Sequence, residues 1–478
     1  MMDRLDLDSP GKALWRRVII AVGVALVCLA AGVGAGVVAF PALLGIAVAI
    51  VLALLLIKPE WGLPLALFAI PFDLLGHVTQ DGSVTVAKLL IALVLVIWLG
   101  RALVLRDQYP LVTLTHPVAL LMIAFIGMNI LSFVNIVQLK PAAIFLMRRM
   151  NVVVLALLIP MVLRDRRSWD RALIWMTLAS IPIGFFGLYE LITGRPILAL
   201  VSYRSQDALL LLSGGQWRIH GTFDDGPFHA IYVATASSLA LSWLLRTTNR
   251  WAKVGLCALL LLLFVNLIGT ASRGGMMALV IVLIVFWAGY GGKRRWLLAA
   301  GAVAMAAAVL GTALMLPQVP VHRYLQLSSE DDPTTQIRMG LYDVAIGMVE
   351  DHPLLGVGTG QWVRESPRYF SSGTFRSTTY MPHNTYLQVA AENGLLGLAV
   401  YLVLLGVVAY YFLRALQRSS GKHERLAILA ALGGFLAFAA FATTSNVMEN
   451  ETYWIFISFS MVASGPRGLL AEADAGGS

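Results

Sequence analysis

Apolar runs of roughly 20 residues recur along nearly the whole chain, separated by short polar breaks, and that is the length a helix needs to cross hydrocarbon. They predict spans at about 18–39, 41–57, 61–76, 84–105, 117–137, 141–163, 170–192, 227–246, 251–269, 275–291, 296–316, 395–413, 426–446 and 452–465. Two are short, 61–76 (which contains Pro64 and Pro71) and 452–465, and both suit re-entrant or paired segments. The expected fold is therefore an all-α polytopic membrane protein with about 12–14 transmembrane helices. The first run exceeds a signal-peptide core and leads straight into the second, so it reads as a span.

Composition sharpens this picture. Of 478 residues, 59% are hydrophobic and 13% charged, against about 25% charged in soluble chains. A soluble fold is excluded, and so is a disulfide scaffold, since Cys28 and Cys257 are the two cysteines and both lie in apolar runs. The net charge of +9 invites a nucleic-acid partner, but the placement of the basic residues argues otherwise. Arg4, Lys12, Arg16 and Arg17 precede the first span, and basic groups recur at 164–171, 246–253, 293–295 and 414–425, whereas the short loops of opposite parity hold Lys140 and Arg273. By the positive-inside rule both termini are cytoplasmic, and no nucleic acid is implied.

This topology divides the chain into a cytoplasmic N-terminus (1–17), an N-terminal bundle (18–192), an outer loop (193–226), central helices (227–316), a large outer loop (317–394), C-terminal helices (395–465) and a cytoplasmic tail (466–478). Loops of such length are usually functional or disordered. The larger one carries Tyr324, Trp362, Tyr369, Phe370, Phe375, Tyr380 and Tyr386, so it is expected to fold.

Ionisable residues inside spans are functional candidates. Here they are Asp73, Lys88, Arg148, Arg149 and Glu190, each within one to three turns of the predicted outer surface, as an outward-opening polar cavity requires. The plainer account has Lys88 and Arg149 snorkelling to headgroups and Glu190 pairing an arginine.

Three motifs share that outer side. Thr270-Ala271-Ser272-Arg273-Gly274-Gly275 joins two spans: Ser272 suits an N-cap, Gly274 and Gly275 suit close approach of a ligand to backbone, and Arg273 offers a donor fork for phosphate. Arg218-Ile219-His220-Gly221-Thr222-Phe223, followed by Pro227, places Arg218 just outside another helix start. In Pro382-His383-Asn384-Thr385, a short helix opens and runs to Glu392-Asn393-Gly394, and an imidazole at a helix N-terminus is biased to its neutral, basic form. Arg338 and the turn His352-Pro353-Leu354-Leu355-Gly356-Val357-Gly358 belong to the same loop. Each motif also has a bland account as a turn or a cap. Asp224–Asp225 and Glu330–Asp331–Asp332 offer carboxylates to a divalent ion, with turn chemistry the preferred reading.

In their order and on the predicted outer side, the Arg218–Ala230 stretch, Ser272-Arg273-Gly274, the His352–Gly358 turn and the His383–Gly397 stretch, over roughly residues 210–400, resemble the O-antigen ligase/O-antigen polymerase superfamily of bacterial polytopic membrane proteins. The resemblance implies a GT-C-like, metal-independent inverting glycosyltransferase of the bacterial inner membrane, with no cofactor. Such an enzyme moves a glycan from undecaprenyl diphosphate to an acceptor hydroxyl at the periplasmic face. The acceptor is lipid A core for a ligase, another glycan for a polymerase, or a protein for an O-oligosaccharyltransferase. A diphosphate is already a good leaving group, so the chemistry calls for charge neutralisation and deprotonation of the acceptor. That assigns His383 as base and Arg218, Arg273, Arg338, Arg148 and Arg149 to the diphosphate, with Ser272, Gly274, Asn384, Glu392, Lys88 and Glu190 in support. The rival from another class is a transporter or flippase, which should show repeated halves and polar residues at the midplane.

Overall fold

The computed structural model describes residues 61–75, 85–104, 114–198, 218–290, 333–370 and 381–464. The expected spans 18–39, 41–57 and 296–316, and the carboxylates at 330–332, lie outside the described residues. The protein is all-α. In chain order the described α-helices of eight residues or more are α1 Gly62–Ala69 (continued by a 3-10 turn, Ile70–Leu75), α2 Val86–Val104, α3 Pro117–Leu131, α4 Leu139–Val162, α5 Arg166–Thr193, α6 Gly226–Arg246, α7 Arg250–Gly269, α8 Arg273–Tyr290, α9 Pro333–Asp351, α10 Thr385–Arg418, α11 Lys422–Phe441 and α12 Glu451–Ala463. Eight of the described helices are long and apolar enough to cross a membrane, and all eight overlap spans expected from hydropathy. The two short runs are short in space as well: α1 gives way to the 3-10 turn that contains Pro71, and α12 has 13 residues.

The centre of the bundle is α6, α11 and α12. In α6 and α11, 78% of the apolar window is buried, against 33% in α3, α8 and α10. Small residues on α6 let its neighbours approach closely, as in membrane bundles generally. Ser238 and Ser242 donate to the Ala430 and Leu426 carbonyls of α11, both at 2.9 Å. Against α8 the contact is so close that a methyl group on Gly275 would lie 2.4 Å from Ala230 Cβ.

The longest helix, α10, breaks at Gly394 (φ 69°, ψ −176°), so Thr385–Asn393 is a separate segment set before the span. The Pro353–Gly358 turn satisfies the backbone at this break. Val357 and Gly358 donate to the carbonyls of Ala391 and Glu392, and Leu395 and Leu396 donate back to those of Pro353 and Leu354. A glycine is required at 394, where a Cβ would sit 2.2 Å from the Leu354 backbone. Leu341, Val344, Ala345, Met348, Val357, Trp362 and Ala391 form a small core of their own, so this part of the large loop is folded.

The two ends of the bundle differ in chemistry. One gathers Asp165, Arg166, Asp170, Arg246 and Arg425, with Arg246 paired to Asp170 at 2.6 Å and Arg425 donating to the Gly289 carbonyl at 2.7 Å. The other gathers the ends of α3, α5, α7 and α11 and the starts of α4, α6, α8, α10 and α12, as the cross-links Ile219–Gly269, Thr385–Ala442 and Asn135–Gly356 show.

Candidate functional site

All three sequence motifs arrive at this second end. The turn from α7 to α8 passes through Ala271 at φ 49°, after which Ser272 caps α8 by accepting the Gly275 N–H at 3.2 Å. Arg273 is the first residue of that helix. Gly274 and Gly275 do not leave space for a ligand as expected, because their Cβ positions are taken by Thr444 and Phe441 on one side and by Ala230 on the other. They are there for close helix packing.

The stretch from Arg218 lies beside this turn. Ile219 donates to the Gly269 carbonyl at 3.0 Å, and the Cβ position of Gly226, first residue of α6, lies 3.6 Å from the Thr270 carbonyl oxygen and 3.7 Å from Arg218 Cβ. Arg218 Nε is buried and makes no hydrogen bond, a donor that an anionic oxygen would satisfy. The loop is held from below by Glu190. One carboxylate oxygen accepts the N–H groups of His220 (2.8 Å) and Gly221 (2.9 Å), and the other accepts that of Ile197 (2.7 Å). Glu190 therefore organises backbone, and among the described residues it pairs no arginine. Burial lowers the pKa of His220 and raises that of Asp225 to about 6, the latter against the opposing charge of Arg338.

His383 stands just ahead of α10 at φ 46°. The N-cap is its neighbour Asn384, whose side chain accepts from Tyr386 N (3.0 Å) and Leu387 N (3.1 Å). Burial first, and then the Arg338 charge, push the imidazole pKa down to about 4, so it is neutral at pH 7. Arg338 thus acts on both Asp225 and His383. The 442–447 loop closes the arrangement. Thr385 N–H and Oγ1 donate to the carbonyls of Ala442 and Ser445 (both 2.8 Å), while Thr444 packs on Gly274 beside Arg273.

The membrane charges divide differently. Arg149 is fully buried. Nη2 bonds Glu392 at 2.6 Å, Nε bonds Glu449 at 3.1 Å, and Nη1 reaches Asn129 and Asn393. It is not at the surface shared by the other arginines, and its hydrogen bonds go to the protein instead of a diphosphate. Arg148 is exposed on α4 with its guanidinium 5.7 Å from the Phe145 ring centre. Lys88 pairs Asp73 at 3.5 Å. Sequence reasoning missed Asn129 and Glu449; the pair of carboxylates in Glu449-Asn450-Glu451, between two spans, was the available signal. Among the described residues no three His, Cys, Asp or Glu side chains gather in a way suited to a metal ion.

Residues 258–402, from α7 through the break in α10, match the family described as O-Antigen ligase. The resemblance to the O-antigen ligase/polymerase superfamily is borne out over that stretch. None of the curated proteins matches the chain.

Proposed function

We propose that this multi-pass membrane protein is a glycosyltransferase that moves an undecaprenyl-diphosphate-linked glycan to an acceptor hydroxyl at the periplasmic face of the inner membrane, as an O-antigen ligase acting on lipid A core. The observation that carries the reading is the convergence of Arg218, Arg273, Arg338 and His383 at the end of the bundle opposite its arginine-rich end, within or next to the matched region. The positive-inside rule puts that end outside the cytoplasm.

In this mechanism Arg218, Arg273 and Arg338 hold the diphosphate, with the start of α8 adding its dipole. The acceptor O–H passes its proton to His383 as the oxygen attacks the anomeric carbon. The bond from that carbon to the phosphate oxygen breaks on the opposite face, the electron pair leaves on undecaprenyl diphosphate, and configuration inverts. A base with a pKa near 4 is weak at pH 7. Burial is the main cause of that depression and the Arg338 charge the lesser one; a diphosphate on Arg338 offsets the lesser part and to that extent raises the basicity of His383. The arginines take over charge neutralisation, and no divalent ion is needed.

The test is the purified full-length protein with lipid-linked glycan, offered core lipid, a second lipid-linked repeat or peptide. Transfer to core lipid supports the ligase, elongation of the repeat makes it a polymerase, and transfer to peptide makes it an oligosaccharyltransferase. Arg218→Ala and Arg273→Ala should lose transfer, and Arg273→Lys should be impaired because it lacks the fork. Full transfer by both alanine variants removes the diphosphate assignment. Activity should persist in EDTA; loss restored by Mg²⁺ overturns the metal-independent mechanism.

A further inference from the structure

The mechanism above gives the fully buried Arg149 no role. We propose that Arg149 is the positioning residue for His383, holding the Thr385–Asn393 segment against the 442–450 loop so that the imidazole keeps its place. This rests on the reading of His383 as the acceptor base.

The segment and the loop are joined at both ends. At one end Thr385 bonds Ala442 and Ser445, and Val447 N–H donates back to Thr385 Oγ1 at 3.0 Å. At the other, Arg149 reaches in from α4 and binds Glu392 and Asn393, the last residues of the segment, together with Glu449 near the end of the loop. Asn129 of α3 accepts from the same guanidinium, and Asn393 Nδ2 continues the network to Thr359 Oγ1 at 2.8 Å. The break at Gly394 means that the segment is not a rigid extension of its span. Without the pin this end is held by the backbone bonds of the Pro353–Gly358 turn, with no side-chain tie to α4 or the 442–450 loop, and a short helix carries a displacement at Glu392 to its other end, where His383 stands.

The choice of residue fits this role. A buried ion pair costs several kcal/mol in desolvation per ion, and well-packed apolar residues are often as stabilising or more so. Here two carboxylates face one guanidinium, which is poor design for packing alone. A planar fork that binds three elements in three directions is what positioning requires, and a lysine supplies no such fork.

The experiment measures transfer by the full-length protein with undecaprenyl-diphosphate-linked glycan, normalised to folded protein. Two variants are compared, Arg149→Lys and the milder Glu449→Gln, whose parent side chain is 24% exposed and whose loss leaves the Glu392 pair intact. Misplacement of a reacting group by about 1 Å costs up to roughly 100-fold, so turnover should fall by roughly 10- to 100-fold with donor KM almost unchanged. Because the effect passes through His383, Glu449→Gln should cost almost nothing further in a His383→Ala background, whereas a merely structural role gives multiplying losses. Normal turnover per folded molecule in Glu449→Gln, or multiplying losses in the double variant, overturns the inference and leaves the base assignment standing. If Arg149→Lys does not fold, Glu449→Gln and the double variant decide. Full turnover by His383→Ala removes the base assignment itself, and this inference with it.

Discussion

Among the described residues, Ala271 and His383 are the non-glycine residues with positive φ, and both stand beside arginines of the candidate site. Such conformations cost about 1–3 kcal/mol and persist only where the surroundings over-determine them, as at ligand clamps. For His383 the surroundings are the Asn384 cap and the Thr385 contacts with the 442–447 loop. General base work is typically worth 10²- to 10⁴-fold, so His383→Ala should lower turnover by about that factor with little effect on donor binding. His383→Gln at wild-type turnover removes the base assignment. The pH profile gives an independent check. A base acts while unprotonated, so kcat/KM should be retained above the free-enzyme pKa of about 4 and lost as pH falls through it. A profile whose acid limb is unmoved by His383→Gln assigns the limb to another group.

At the scale of elements, the break in α10 explains why two motifs far apart in sequence occur together. The glycine turn at 356–358 exists to receive the carbonyls of Ala391 and Glu392, and Gly394 exists to expose them. Gly394→Ala forces a side chain into φ 69° and against the Leu354 backbone, so it should cost about 2 kcal/mol or more and lower the unfolding temperature in detergent. Gly406→Ala, further along the same helix with nothing within 4 Å of its Cβ position, is the control and should leave stability unchanged or slightly raised. Equal effects of the two would show that the break has no special demand. The break was legible in the sequence, because a His-Asn start and a Glu-Asn-Gly stop punctuate an otherwise continuous helical run. The partner of Glu392 was not: Arg149 lies 243 residues away, and hydropathy puts Arg149 in an apolar run and Glu392 in the large outer loop but does not show that they meet. The same limit applied to Glu190, whose partners are backbone N–H groups that carry no sequence signal. Gly274 and Gly275 misled because a glycine beside an arginine looks alike whether it faces a ligand or a neighbouring helix.

For the whole molecule, hydropathy made the described spans legible because lipid demands long apolar helices, and the alternation of spans places Arg218, Arg273 and His383 at one end. The proposed periplasmic placement of that end is tested by impermeant maleimide on intact spheroplasts. Cysteines replacing Ser213 and Ser371 should label and one replacing Ser420 should not, and the reverse pattern would invert the proposed orientation. One feature of the bundle bears on how substrates arrive. Helix α12 has 13 residues, almost all buried, which at 1.5 Å per residue gives about 20 Å against a hydrocarbon core of about 30 Å. Its first turn follows Glu449, and the partner Arg149 lies about 15 Å along α4 from Leu139, the helix start at the same end. The Arg149 network therefore lies about 15 Å below the start of α4, sunk like a basin below the rim formed by the longer helices. Under the proposed transfer, a donor whose phosphates ride at the leaflet surface would slide in sideways between helices, while the acceptor would have to be long enough to dip its hydroxyl over the rim. On this geometry, reach would be a criterion of selection for acceptors alongside sugar identity.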